Sequence, residues 1–101
     1  MADLAVTLED TKLERAAYVL KAVAHPVRIS IIDLLNQKEE ISVGEITDIL
    51  EIDQALVSHH LIKMRDKGIL GIRREGRNIY YRLTDKTITN IIACINECRN
   101  F

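Results

Sequence analysis

The sequence predicts a mainly α-helical domain of about five helices carrying one small two-stranded β-hairpin. Three observations carry that prediction. Apolar residues recur at three-and-four spacing along most of the chain. That period gives way to short Ile- and Tyr-rich runs only between Ile69 and Leu83. Cap and turn residues stand where the elements should join. At 101 residues the chain is expected to form a single domain spanning residues 1–101. Trp is absent and there is one Phe, so the core must be built from Ile, Leu and Val.

A first helix is expected from Thr11 to about Ala24, with Leu13, Ala16, Ala17, Leu20, Val23 and Ala24 on one buried face. Pro26 ends it, because His25 before a proline is disfavoured in helical geometry. The same Pro26 suits the first turn of a second helix, where its missing N–H has no cost. That helix carries Val27, Ile31, Ile32, Leu34 and Leu35 and fades at Asn36-Gln37-Lys38. Ser42, with Glu45 three residues on, forms a capping box for a short third helix whose inward face is Val43, Ile46, Ile49 and Leu50.

After the tight Glu51-Ile52 connection, Asp53 can cap a fourth helix. Val57, Leu61 and Met64 share one of its sides and leave Gln54, Ala55, Ser58 and His59 on the other. Gly68 fits the left-handed residue that ends such a helix. Ile69–Glu75 and Asn78–Leu83, separated by Gly76-Arg77, read as a hairpin in which Tyr80 and Tyr81 point to opposite faces. Thr84 or Asp85 then caps a last helix reaching about Cys98. A short helix, a tight turn, a second helix and then a charged hairpin together describe a winged helix-turn-helix.

In that arrangement the second helix of the pair lies in the DNA major groove with its N-terminal residues against base edges. Gln54 has the paired donor and acceptor that identify adenine, and Ser58 and His59 can meet bases or phosphates. Lys63, Arg65 and Lys67 are expected on phosphates, where they give affinity and register without sequence choice. Arg77 and Asn78 at the hairpin tip reach towards the minor groove, and Ala55 and Arg73 complete the candidate DNA-binding set. Charge agrees with this placement. Residues 1–52 carry a balance of −5 and residues 53–82 a balance of +4, although the chain as a whole is −1. Protonation of His59 in mild acid would strengthen the attraction to DNA, whereas His25 and His60 are expected to play structural roles.

The segments Ala24–Ile29, Ile41–Ile46, Gln54–Leu61, Gly68–Leu70 and Arg77–Leu83 resemble the ArsR/SmtB family of bacterial repressors, over residues 12–98 or so. The resemblance implies a homodimer on an imperfect inverted repeat that leaves double-stranded DNA when an inducer binds. It also invites a check for metal ligands. Relatives that sense metal at the third helix use Cys-Val-Cys, and Ser42 and Gly44 occupy those places here. The last-helix site of other relatives needs Asp-x-His and two further ligands. Asp85 fits its first place, but Thr87, Cys98 and Phe101 stand at the others. Neither of these metal sites is therefore expected, and no cofactor is expected.

The last helix carries Ile88, Ile91, Ile92, Cys94, Ile95 and Cys98, which cover more of its girth than packing on one core requires. A dimer through the first and last helices is expected, with two reading helices about 34–36 Å apart. Cys94 and Cys98 stand four apart on one face, with β-carbons about 5–6 Å apart, too far for an undistorted disulfide within the helix. Structural filling, thiol sensing and a soft-metal contribution all remain open for them. An enzyme is poorly supported, since there is no Gly-rich phosphate loop, Ser/His/acid set or closed ligand cluster. A winged helix serving protein contact alone is the rival reading. No apolar run approaches the length of a membrane span. The N-terminal stretch lacks the features of a signal peptide, so a reducing cytoplasm is the expected compartment.

Overall fold

The computed structural model describes residues 3–98. Helix α1 (Asp10–Val23) leads to α2 (Pro26–Gln37), the two-residue strand β1 (Ile41–Ser42), α3 (Val43–Leu50) and α4 (Gln54–Asp66). The hairpin strands β2 (Leu70–Glu75) and β3 (Asn78–Leu83) follow, then a 3-10 turn (Lys86–Ile88) and α5 (Thr89–Glu97).

Local chemistry sets most of these boundaries. Pro26 opens α2, and the Val27 backbone N–H donates to Nδ1 of the cap residue His25 at 3.1 Å. The Ser42–Glu45 capping box forms in both directions at the start of α3. Asp53 caps α4 by accepting from the Ala55 backbone N–H at 3.1 Å. At the far end of α4, Gly68 takes φ 81°. The Gly68 and Ile69 N–H groups donate to the Arg65 and Met64 carbonyls, the paired bonds of a Schellman ending. Gly76, with φ 61°, turns the hairpin, and Glu75 faces Asn78 across it.

The hairpin gains a third strand that the sequence reading did not include. β1 pairs antiparallel with β3, Ile41 opposite Tyr81 and Ser42 opposite Tyr80, so the strand order is β1-β3-β2. This ties the root of the wing to the start of α3. Tyr81 points inward and is buried, while Tyr80, on the other face, is half-buried.

The core gathers Ile31 and Ile32 of α2, Ile41 of β1, Ile46 of α3, and Val57, Leu61 and Met64 of α4, all fully buried. Each such side chain contributes on the order of 1.5–3 kcal/mol through burial. The unit that positions α4 is therefore held by α2, α3 and the sheet.

The first helix departs from expectation. The predicted buried face of α1 is largely uncovered: Leu13 and Leu20 are 40% and 52% exposed, Ala16, Ala17 and Ala24 are exposed, and only Ala22 and Val23 are buried. On α5 only Ile92 is buried, and Cys94 and Cys98 are exposed. A groove of 330 Å³ runs between α1 and the start of α5, past Ala16, Val19, Ile88 and Ile91. A second, of 270 Å³, lies between Leu20 and Val23 of α1 and Ile91 and Ile92 of α5. The apolar residues are where the sequence placed them, but this chain alone does not cover them.

Candidate nucleic-acid interface

Helix α4 is anchored by Val57, His60, Leu61 and Met64 and turns its opposite side to solvent. Ala55 and His59 are exposed there, Gln54 is exposed in the first turn on the flank of that side, and Ser58 is half-buried at its edge. Asp53 fixes the first turn, so the side chains expected to meet bases sit at a capped, well-defined helix start. Lys63 is exposed in the last turn. Arg65 is directed to Asp66, at 3.2 Å, rather than standing alone. Lys67 lies 5.3 Å from the Tyr18 ring and so joins the end of α4 to α1.

Below the reading face lies a histidine joint. The Arg28 Nε–H donates to His60 Nδ1 at 3.0 Å, and its Nη1–H donates to the Ala22 carbonyl at 2.8 Å. One guanidinium thus ties the end of α1 and the start of α2 to the middle of α4. The His25 ring packs on His60 at 4.3 Å between centroids, and His59 meets it edge-on at 5.5 Å. His60 is buried and its Nε2 has no partner. Its structural satisfaction is thus only partial. Burial, reinforced by His25, Arg28 and His59, lowers the His60 pKa below the usual histidine value.

The wing presents Arg74, Arg77 and Asn78 to solvent. Neither Arg74 nor Arg77 forms an ion pair among the described residues. Arg73 differs. Cross-strand register sets it opposite Tyr80, with its guanidinium 4.7 Å from that ring. It binds Glu40 at 3.0 Å and Glu75 at 2.6 Å. Those hydrogen bonds raise the Arg73 pKa and lower that of Glu40. Arg73 therefore braces the wing against the segment before β1 while staying exposed, and Arg74, which the candidate set omitted, adds a second exposed charge. Strand alternation alone puts adjacent arginines on opposite faces; the choice between them needed Glu40, 33 residues away.

Cys94 lies on α5 and Cys98 just past its end, in extended backbone, along an apolar strip with Ile91 and Ile95. Among the described residues no group of three His, Cys, Asp or Glu side chains could hold a metal ion. Asp85 instead caps the 3-10 turn, accepting from the Thr87 backbone N–H at 2.9 Å and from its hydroxyl at 2.6 Å. Phe101 lies outside the described residues. No helix among them is long and apolar enough to cross a membrane.

Residues 25–70 match the family model described as "Bacterial regulatory protein, arsR family". The transcriptional repressor PagR of Bacillus anthracis is 38% identical over 89 residues, which cover 88% of this chain and 89% of that one. The chain belongs to the ArsR family. The HTH-type transcriptional regulator YgaV of Escherichia coli is 35% identical over 84 residues, covering 83% of this chain and 85% of YgaV. Among solved structures, PagR superposes with a TM-score of 0.78 at 39% identity, over 87% of this chain and all of PagR. HlyU of Vibrio cholerae does so with a TM-score of 0.80 at 28% identity, over 92% of this chain and all of HlyU. Like these ArsR-type relatives, the chain is a winged-helix DNA-binding transcriptional regulator and not an enzyme.

Proposed function

We propose that this protein is a sequence-specific repressor that binds an inverted-repeat operator in double-stranded DNA as a homodimer, in the cytoplasm, and leaves it when an inducer binds. The observation that carries this reading is the solvent-facing row Gln54, Ala55, Ser58 and His59 on a capped helix beside a cationic wing. In the major groove Gln54 pairs with an adenine edge, Ser58 and His59 meet bases or phosphates, and Lys63 and Arg65 contact phosphate. Arg77 and Asn78 meet the neighbouring minor groove or its phosphates. Arg73 supports the wing through Glu40 and Glu75.

The dimer reading is supported by apolar residues that this chain leaves exposed on α1, Leu13 and Leu20, and half-buried on α5, Ile91 and Ile95. A two-fold pairing through these helices puts one α4 in each of two successive major grooves. Cys94 and Cys98 then lie at or beside the seam. Oxidation of a thiol pair to a disulfide, with two electrons and two protons passing to an oxidant such as a peroxide, would change the contact that spaces the reading helices. Replacing both cysteines by Ser tests this: a regulator released from DNA by peroxide should become insensitive, and an unchanged response removes the thiols from the mechanism.

A winged helix used only for protein contact is disfavoured by the cationic wing and by relatives that are transcriptional regulators. Fluorescence anisotropy on duplexes selected from a random library, at two salt concentrations, tests the DNA reading. Affinity should fall steeply with salt. Gln54→Ala should cost about 1–3 kcal/mol and relax preference at one base pair, and Lys63→Ala should weaken all duplexes evenly and flatten the salt dependence. If Gln54→Ala leaves affinity for the selected site untouched, α4 is not oriented as described.

A further inference from the structure

One residue on the outer side of α4 has chemistry that its surroundings do not explain. Ile62 is a large aliphatic side chain, 41% exposed, one turn beyond Ser58 and His59 in a row of polar and cationic groups. With 3.6 residues per turn, it points roughly 150° away from the mean direction of Val57, His60, Leu61 and Met64. Ala55 lies within about 20° of that direction and His59 within about 60°. Leu56, also exposed, lies only about a quarter-turn from the buried side and belongs to the flank. Ala55, His59 and Ile62 thus form the ridge of the helix, the line that goes deepest into a groove. Asp66 continues this line one turn further and is held by Arg65. A carboxylate there is repelled by phosphates, so the DNA-facing ridge ends at Ile62.

An aliphatic group on the floor of a major groove has one good partner. Thymine alone presents a methyl group there; the other bases present amino donors or N7 and O6 acceptors. Against those edges Ile62 would displace water without replacing its hydrogen bonds, which is unfavourable. We infer that Ala55 and Ile62 read thymine methyl groups, so that each operator half-site carries two thymines on either side of the bases met by Ser58 and His59. The seven residue steps from Ala55 to Ile62 span about 10.5 Å of helix, or about three base-pair steps at 3.4 Å per step. This inference rests on the proposed DNA-facing orientation of α4 and adds to it the base identity at two positions.

The test uses the full chain, Ile62→Ala, and Ile62→Val, which keeps an apolar contact. Duplexes are selected from a random library, and each thymine of the best site is then replaced singly by uracil, which removes only the methyl. Wild type should enrich thymines about three steps apart and lose about fourfold in affinity at the uracil facing Ile62, as expected for one buried methyl-sized group. Ile62→Val should keep the preference. Ile62→Ala should lose it at that position alone, retaining the uracil penalty facing Ala55 and the same salt slope. A uracil penalty equal in wild type and Ile62→Ala overturns the inference, as does selection of sites without the paired thymines. Should Ile62→Ala change the oligomeric mass while leaving base preference intact, Ile62 faces protein and the inference fails. A wild-type protein that binds no duplex with salt dependence overturns the DNA reading itself, which separates the two failures.

Discussion

Acidification should weaken this protein through the joint beneath the reading helix. His60 is 4% exposed, accepts from the Arg28 guanidinium through Nδ1 and packs on His25. A proton on Nδ1 would break the bond that ties Arg28 to α4, and a proton there would also face an existing positive charge. Burial is the main reason why the folded protein lowers this pKa, so the unfolded chain binds the proton more readily. Stability is therefore full above the unfolded value near 6.5 and is lost as the pH falls through and below it. Between pH 7.5 and 5.5 proton uptake by the unfolded chain removes at most about 1.4 kcal/mol, the limit set by one imidazole that titrates only in the unfolded state. For a domain of this size that limit corresponds to a fall of about 6 °C in melting temperature. The assay is thermal or urea unfolding at both pH values in wild type and His60→Asn. The Asn carboxamide oxygen can still accept from Arg28 but does not titrate. The variant should begin less stable, because it loses ring volume, and should lose less stability than wild type over the same pH interval, by up to about 1.4 kcal/mol. Parallel pH dependences in the two proteins would refute the reasoning, for they would mean that His60 protonates equally well folded and unfolded.

Three further outcomes follow from the packing and the charges. Leu61→Ala, at a position 0% exposed on the anchored side of α4, should cost about 2–5 kcal/mol, measured as the urea midpoint multiplied by an unchanged m-value. Glu51 closes α3 with φ 54°, the one positive φ at a non-glycine position among the described residues, and Glu51→Gly should stabilise by about 0.5–1 kcal/mol in a thermal melt. Arg77→Ala should reduce the slope of log affinity against log salt by about one, while Arg73→Ala should change it less because that guanidinium is already bound to Glu40 and Glu75.

Much of the fold was legible because its boundaries are set by neighbours in sequence. Pro26, the Ser42–Glu45 box, Asp53, Gly68 and the Gly76-Arg77 turn each act over a few residues, and each sits where the sequence placed it. What was hidden depends on partners far along the chain or beyond it. β1 is two residues long and exists only through Tyr80 and Tyr81 of β3. The exposure of α1 was not foreseeable from periodicity, which shows that an apolar face exists and is silent on which chain covers it. Arg73 reads as a free cation until Glu40 arrives from 33 residues upstream. The left-handed turn at Glu51 carried no glycine to announce it. In the candidate interface, the outward side of α4 followed from the positions of Val57, Leu61 and Met64, whereas Arg74 could be told from Arg73 only once the strand faces had partners.

Backbone amide NMR shifts, recorded on the protein as a duplex bearing the selected site is added, ask most directly which surface meets DNA. The shifts should concentrate at Gln54–Lys63 and at the hairpin tip around Gly76–Asn78, with those of α5 small and delocalised. Large, saturable shifts confined to α1 and α5, with the α4 amides unmoved, would contradict the assignment of the reading face.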